Sequence, residues 1–238
     1  MFNCPLSPEK ADRIIGALEL RAGGRVVDVG CGTGEFLLRV IERYHVHGTG
    51  IDPDGKALAE CRKKNAGRVA PELLKLHECK AAEFHWPRQR FDAAICIGSV
   101  HAFGGYLPTL QALKKRVLRG GILVVGDIFW RRKRVAAYRK VLGGDWPSFS
   151  TDYLSLARTG EQQGLALVYS AQSSPDEWDH FEGSFAKKRY QKALALPAGP
   201  KRKAAIETAR RWYDAYLKWG RETMGFGFLV FLNRDCAG

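Results

Sequence analysis

Short apolar runs alternate along this chain with stretches whose apolar residues recur every three or four positions. The strand-like runs are RVVDVG (25–30), HGTGID (47–52), LLKLHECK (73–80), FDAAICIG (91–98) and GILVVGDIF (121–129), followed by LALVYSAQ (165–172) and FGFLVFL (226–232). Between the earlier runs, positions such as Leu37, Ile41 and Tyr44 mark one face of a helix. Ser7, Pro8 and Glu9 supply an N-cap, a first-turn proline and a first-turn acid. Ile14, Ile15 and Leu18 give that helix an apolar face before Gly23 and Gly24 stop it. Alternation of this kind predicts βαβ units and an α/β fold with a mostly parallel sheet covered by helices on both faces. FGFLVFL is apolar at nearly every position, which predicts burial on both faces and a place inside the sheet.

Residues 175–224 break this rhythm, because a simple hairpin connection needs only about 2–5 residues. The segment opens SSPDEWD, again with N-cap, proline and acids, so it reads as helical from its start. Trp178, Phe181 and Phe185 fall on one helical face with Asp179 and Glu182 beside them, and Trp212, Tyr213, Tyr216 and Trp219 follow. The expected organisation is a sheet domain of residues 1–174 and 225–238 with a helical insertion, 175–224, belonging to the same domain and covering the substrate as a lid. There are no internal repeats or low-complexity segments.

The 238 residues suffice for one large domain with a proper core, and 45% hydrophobic with 26% charged residues is ordinary globular composition. No run approaches the roughly 20 apolar residues of a membrane span. The first residues, MFNCPLSPEKADR, carry prolines and acids where a signal peptide would place an apolar segment. A soluble, cytoplasmic protein is the expectation. Cys4, Cys31, Cys61, Cys79, Cys96 and Cys236 form no C-x-x-C pair, so neither a metal centre nor a disulfide framework is expected. The net charge of +13 points toward a polyanion, a membrane surface or an anionic substrate. The basic residues are spread through helical segments, with local crowding at KKRVLR (114–119), RRKR (131–134) and KRK (201–203), and solvated helix faces account for most of the charge.

The chemistry starts at VVDVGCGTGEF, residues 26–36, where Gly30, Gly32 and Gly34 follow an apolar run that contains Asp28. Ligands of open parallel sheets bind at the carboxyl ends of the strands, and the first β–α turn lies at that edge. The dinucleotide pattern G-x-G-x-x-G would require glycine at 35, where this chain has Glu35, and no G-K-[ST] follows to make a P-loop. A carboxylate entering the helix would repel a pyrophosphate. GIDPD (50–54) ends the second strand with Asp52, placed to accept hydrogen bonds from two ribose hydroxyls. The pair suggests a nucleoside whose tail carries no pyrophosphate.

VVDVGCGTGEF followed by GIDPD resembles motifs I and II of the class I S-adenosylmethionine-dependent methyltransferases, close to the ubiquinone/menaquinone methyltransferase-like group, over residues 7–174. The resemblance implies a Rossmann-like sheet of seven strands in the order 3-2-1-4-5-7-6 with the last strand antiparallel, and S-adenosylmethionine as cofactor, left as S-adenosylhomocysteine. It places Asp28 and the backbone of Gly30, Cys31, Gly32 and Gly34 at the methionine end. Asp52 and Pro53 fall at the ribose, Ala82 and Glu83 at the adenine, and Gly98 at the crevice edge. The family usually has an aspartate followed by a small residue after its third strand; Ala82-Glu83 departs from that.

A sulfonium methyl is already activated, so the protein mainly aligns the acceptor, and a base is needed only if the acceptor must lose a proton. His101, in IGSVHAFGG after the fourth strand, could take that proton or merely hold its loop. Strand five ends GDIFW, which sets Asp127, Phe129 and Trp130 at the same edge; Asp127 could hold substrate or cap the next helix. Arg131 could receive an anionic group, while Trp178, Phe181 and Glu182 of the insertion would wall the substrate pocket. The leading reading is a methyltransferase acting on a small molecule, itself anionic if Arg131 receives it. One alternative is an RNA or, less readily, DNA methyltransferase using the basic surface; strand four ends without the [DN]-P-P-[YFW] element of base-amine enzymes. The other is a cofactor-binding protein without transfer activity. Acceptor identity and oligomeric state are not encoded in these motifs.

Overall fold

A computed structural model describes residues 2–132, 136–143 and 152–234. These form one seven-stranded sheet in the order β3-β2-β1-β4-β5-β7-β6. The strands are β1 (Arg25–Val29), β2 (His47–Asp52), β3 (Leu74–Glu78), β4 (Phe91–Ile97), β5 (Val117–Trp130), β6 (Leu165–Gln172) and β7 (Met224–Asn233). β1 to β5 pair in parallel, and β7 runs antiparallel to both β5 and β6. The order is the one the family resemblance implies, and β7 is buried at nearly every position, as its two-sided apolar pattern requires.

Local signals start the helices. The Ser7 side chain accepts from the Lys10 amide at the head of α1 (Pro8–Gly16), and Asp54 caps α3 (Gly55–Lys64). Ser174 and Glu177 form a reciprocal capping box on α7 (Pro175–Leu194). The remaining helices are α2 (Glu35–Tyr44), α4 (Tyr106–Lys114), α5 (Ala136–Leu142), α6 (Tyr153–Gln162) and α8 (Pro200–Ala215), the last continuing into a wider turn at Tyr216–Gly220. Residues 175–223 are thus helical apart from the turn at 195–199, and Trp178 is buried against the sheet with Ile95, Val124 and Phe228 on the face that α1 and α2 cover. The opposite face packs Leu123, Val125 and Phe231 beneath Leu110 of α4 and Leu156 of α6. Successive strand residues serve opposite faces, as the pleat demands.

β5 departs from its expected bounds. It starts four residues earlier than its apolar pattern suggests, because Phe91 pairs with Val117 but Ala93 pairs with Ile122. The surplus residues bulge outward, with Gly120 at φ +74° and Leu118 and Arg119 exposed. Buried Asn233, at the end of β7, donates through Nδ2 to the carbonyls of Val117 and Leu118, each at 3.1 Å, and fixes the bulge. Lys133 and Arg134 of the RRKR run, and Cys236, lie outside the described residues. No described helix is long and apolar enough to cross a membrane, and no described group of three or more His, Cys, Asp or Glu could hold a metal ion.

Candidate active site

The turn after β1 is built from left-handed backbone at Gly30, Gly32 and Gly34 (φ +73°, +54° and +73°). The three glycines serve different ends. A Cβ on Gly30 would lie 2.1 Å from Ser99 Oγ, so the loops after β1 and β4 touch there, and one on Gly34 would press on Cys61. A Cβ on Gly32 would meet nothing within 4 Å and would project into an open crevice. Asp52 fixes that loop: Oδ2 accepts from the Gly32 amide and Oδ1 from the Asp54 amide, both at 2.8 Å.

The crevice, about 110 Å³, is lined by Asp28, Gly30, Cys31, Gly32, Asp52 and Gly98. Burial, and then the charge of Asp52, pushes the Asp28 carboxyl up to about 8. Burial also raises the Cys31 thiol, with Asp28 adding to it, which leaves a thiol packed in a turn and no thiolate nucleophile. Four residues from the motif alignment are not in the crevice wall. Gly34 is used in starting α2, and Pro53 is exposed beside it. Ala82 and Glu83 are also exposed, with Glu83 turned toward Lys80 at 4.0 Å. Ala81 just before them is buried with Val29 and Ile51, so this turn packs at the carboxyl edge while Ala82 and Glu83 face outward.

The outer wall comes from a part of the sequence that carries no motif. Phe2, Cys4 and Leu6 line the crevice as a strap ahead of α1, together with Ser99 and Phe36. Only the apolar Leu6 just before the N-cap hinted that this segment packs. Ser173 Oγ donates to the Pro5 carbonyl, the Ser7 amide donates to Glu177 Oε1 at 2.8 Å, and Lys10 pairs with Glu177. Burial would raise the Glu177 carboxyl, but these donors outweigh it and hold it below its ordinary range. Beyond the strap lies a cleft of about 420 Å³ that shares Phe2, Cys4, Leu6 and Glu35 with the crevice and adds His180 and Phe181 of α7. Glu35 is neutralised there by Arg39 at 2.9 Å and Arg68 at 3.1 Å.

The acceptor-side residues scatter more than the sequence suggests. His101 is exposed on a one-turn segment, Val100–Phe103, and lines neither crevice nor cleft. Phe129 and Trp130 do not face together: Phe129 packs beside Tyr153 on the α4–α6 face, and Trp130 beside Tyr138 on the other, because neighbouring strand residues point oppositely. Asp127 shares the face of Phe129. It is buried, its Oδ1 accepts from the Ile128 amide at 2.8 Å, and its Oδ2 has no partner among the described residues. Burial pushes this carboxyl up to about 7 against the pull of that amide. Tyr106, buried on the same face, also keeps an unpartnered Oη. Arg131 is committed elsewhere: it donates to the Ser173 carbonyl at 2.7 Å and lies over the Phe129 ring. Trp178 is buried with its indole N–H unpartnered, Phe181 is half-buried, and Glu182 accepts from the Trp212 indole at 3.2 Å.

Residues 26–121 match the methyltransferase domain family. The chain is 25% identical over 236 residues to the uncharacterized protein YjhP of Escherichia coli K12, covering 97% of this chain and 93% of that one. It is 28% identical to a 27-O-demethylrifamycin SV methyltransferase of Amycolatopsis mediterranei (49% of this chain, 43% of that protein). Likeness to a tRNA U34 carboxymethyltransferase of Pseudomonas aeruginosa is 34% (73% and 56%). The chain thus spans only about half the length of the two relatives with named reactions. A solved S-adenosylmethionine-dependent methyltransferase from Thiobacillus denitrificans, in complex with S-adenosylhomocysteine, shares the fold with a TM-score of 0.86 at 24% identity, covering 97% of this chain and 93% of that one.

Proposed function

We propose that this chain is a class I S-adenosylmethionine-dependent methyltransferase, a reading supported by its domain match and its strand order, and that its acceptor is a small molecule held between the crevice and the helical insertion. The crevice residues fit the cofactor: Gly32 leaves its backbone bare toward the cavity, and Asp52 is fixed with both oxygens at the edge where a ribose belongs. Asp28 and the Gly30–Gly34 backbone are the residues to hold the methionine end. Bound there, the cofactor supplies a methyl group on a sulfonium centre.

The rest is positioning. The observation that carries the small-molecule reading is the 420 Å³ cleft joined to the crevice through Phe2, Cys4, Leu6 and Glu35, within the roughly 300–1,000 Å³ of small-ligand sites. His180 and Phe181 supply its α7 wall, so the insertion serves as the lid. Where the acceptor must lose a proton, His180 of α7 is placed to take it, since it lines the cleft while Asp127 lines neither cavity. That is the role the sequence offers to His101.

The test is a calorimetric titration with S-adenosylhomocysteine, with NAD as control. Binding should weaken at least about tenfold in Asp52→Ala, which loses two hydrogen bonds to a charged group, and NAD should not bind. Labelled methyl donor is then offered to metabolite pools and to total RNA. Label in small molecules supports the proposal. Label in RNA supports a second reading, an RNA acceptor, which the likeness to the tRNA-acting relative favours. Cofactor binding without labelled product from any pool points to a binding protein that performs no transfer.

A further inference from the structure

The amino edge of the sheet, opposite the crevice, carries a groove of about 590 Å³ that the methyl-transfer reading does not use. Five cationic residues line it: Arg90, Lys114, Lys115, Arg119 and Arg234. No described residue lining it is acidic. Lys114 and Lys115 end α4, where cations offset the helix dipole. That accounts for two of the five. Arg90 stands just before β4, Arg119 on the β5 bulge and Arg234 just after β7, so three separate strand ends bring guanidinium groups to one place. The frame is rigid. Asn233 pins the bulge, and Lys114 Nζ donates to the Gln163 carbonyl at 2.5 Å.

Beside the groove, the Phe91 amide donates to the Arg116 carbonyl, and the Arg116 guanidinium lies 5.0 Å over the half-exposed Trp86 ring. A concave cationic track flanked by a guanidinium held over an aromatic ring is the pattern that follows a nucleic-acid strand, phosphates in the groove and a base on the Arg116 guanidinium plane. A membrane would meet a flat or convex basic face instead. We propose that this groove is a docking site for single-stranded nucleic acid, separate from the methyl-transfer edge and independent of the acceptor's identity.

The experiment measures fluorescence anisotropy of labelled 12-nucleotide single-stranded RNA and DNA of one sequence across a salt series, on the whole chain. Expected is binding that falls steeply with salt, with a logarithmic slope of about −0.7 per phosphate contacted. The Arg90→Glu/Lys115→Glu double variant should weaken binding at least tenfold and flatten the slope by about 1.4. Lys187→Glu/Lys188→Glu, an equal change of charge on exposed α7 residues, should alter neither by more than about twofold. S-adenosylhomocysteine affinity should be the same in all three proteins, so a failure here is distinct from a failure of the methyltransferase reading. Equal weakening by the two double variants, no binding of either strand at low salt, or binding to phosphatidylserine vesicles but to neither strand would each overturn the docking site. RNA bound well above DNA would identify the ribose strand as the partner within the same proposal.

Discussion

At the carboxyl edge of the sheet, Asp28 and Asp52 line a crevice of about 110 Å³; at the amino edge, Arg90, Arg119 and Arg234 surround a groove of about 590 Å³. The difference is in what builds each. The crevice is made of backbone: left-handed glycines, an amide held by Asp52, two loops in contact at Gly30 and Ser99. The groove is made of long side chains displayed on strand ends and a bulge. Substitutions at the first should therefore disturb the fold and the ligand together. At the second they should change charge and little else.

Glycine replacement tests this most sharply. Gly30→Ala combines left-handed strain with a clash against Ser99, about 2–5 kcal/mol of lost stability in urea unfolding. Gly120→Ala, at nearly the same φ on the open bulge, carries only the strain, about 1–2 kcal/mol. Equal losses would show that both edges depend on backbone geometry alone.

Next comes the strap. The crevice is small beside the roughly 300–1,000 Å³ of ligand sites, and the wall that narrows it is tied down by Glu177. Glu177→Ala leaves the Ser7 and Ser174 amides without their acceptor and the Lys10 ammonium with only the Gln172 carbonyl, at about 2–3 kcal/mol. It should also speed dissociation of S-adenosylhomocysteine several-fold in stopped-flow, with no effect on nucleic-acid affinity. An unchanged dissociation rate would mean that the strap is not the barrier.

The pH profile tests the buried carboxyls of the same edge. Asp28 stands at about 8 in the folded chain against an ordinary 3.8. Between those values the native state holds a proton that the unfolded state has lost, so stability falls as pH rises through that window. Asp127, at about 7, acts in the same direction. Asp28→Asn should lose less stability than the wild type between pH 5 and pH 8 in thermal melts. Parallel profiles would remove the assigned shift. The exposed groove cations should leave this profile untouched.

What the sequence made legible follows the same division. The glycine loop and Asp52 are contiguous motifs whose chemistry is local, and the two-sided apolar run of β7 announced an interior strand. The strap was not legible, since Phe2 and Cys4 gain meaning only through Glu177, far along the chain. The capping box at Ser174 and Glu177 could be read locally, but the second use of that carboxylate could not. Phe129 and Trp130 were separable in principle, because strand alternation sends neighbours to opposite faces; reading them as one edge ignored the pleat. The groove was hidden because KKRVLR (114–119) reads as a solvated helix face, so Arg119 passed for part of one.

The ties from the first helix to Gln172, Ser173 and Glu177 span more than 160 residues, and β7 must then slide between β5 and β6. A chain emerging from the ribosome with only its first 170 residues would carry every motif residue of the crevice and none of the ties that hold its strap. Contacts so distant in sequence are slow to form. The ability to retain a nucleoside would therefore arise late in biogenesis, after the last third of the polypeptide has been released. Until then the exposed edge of β5 is a surface that a chaperone, or another nascent copy, could occupy.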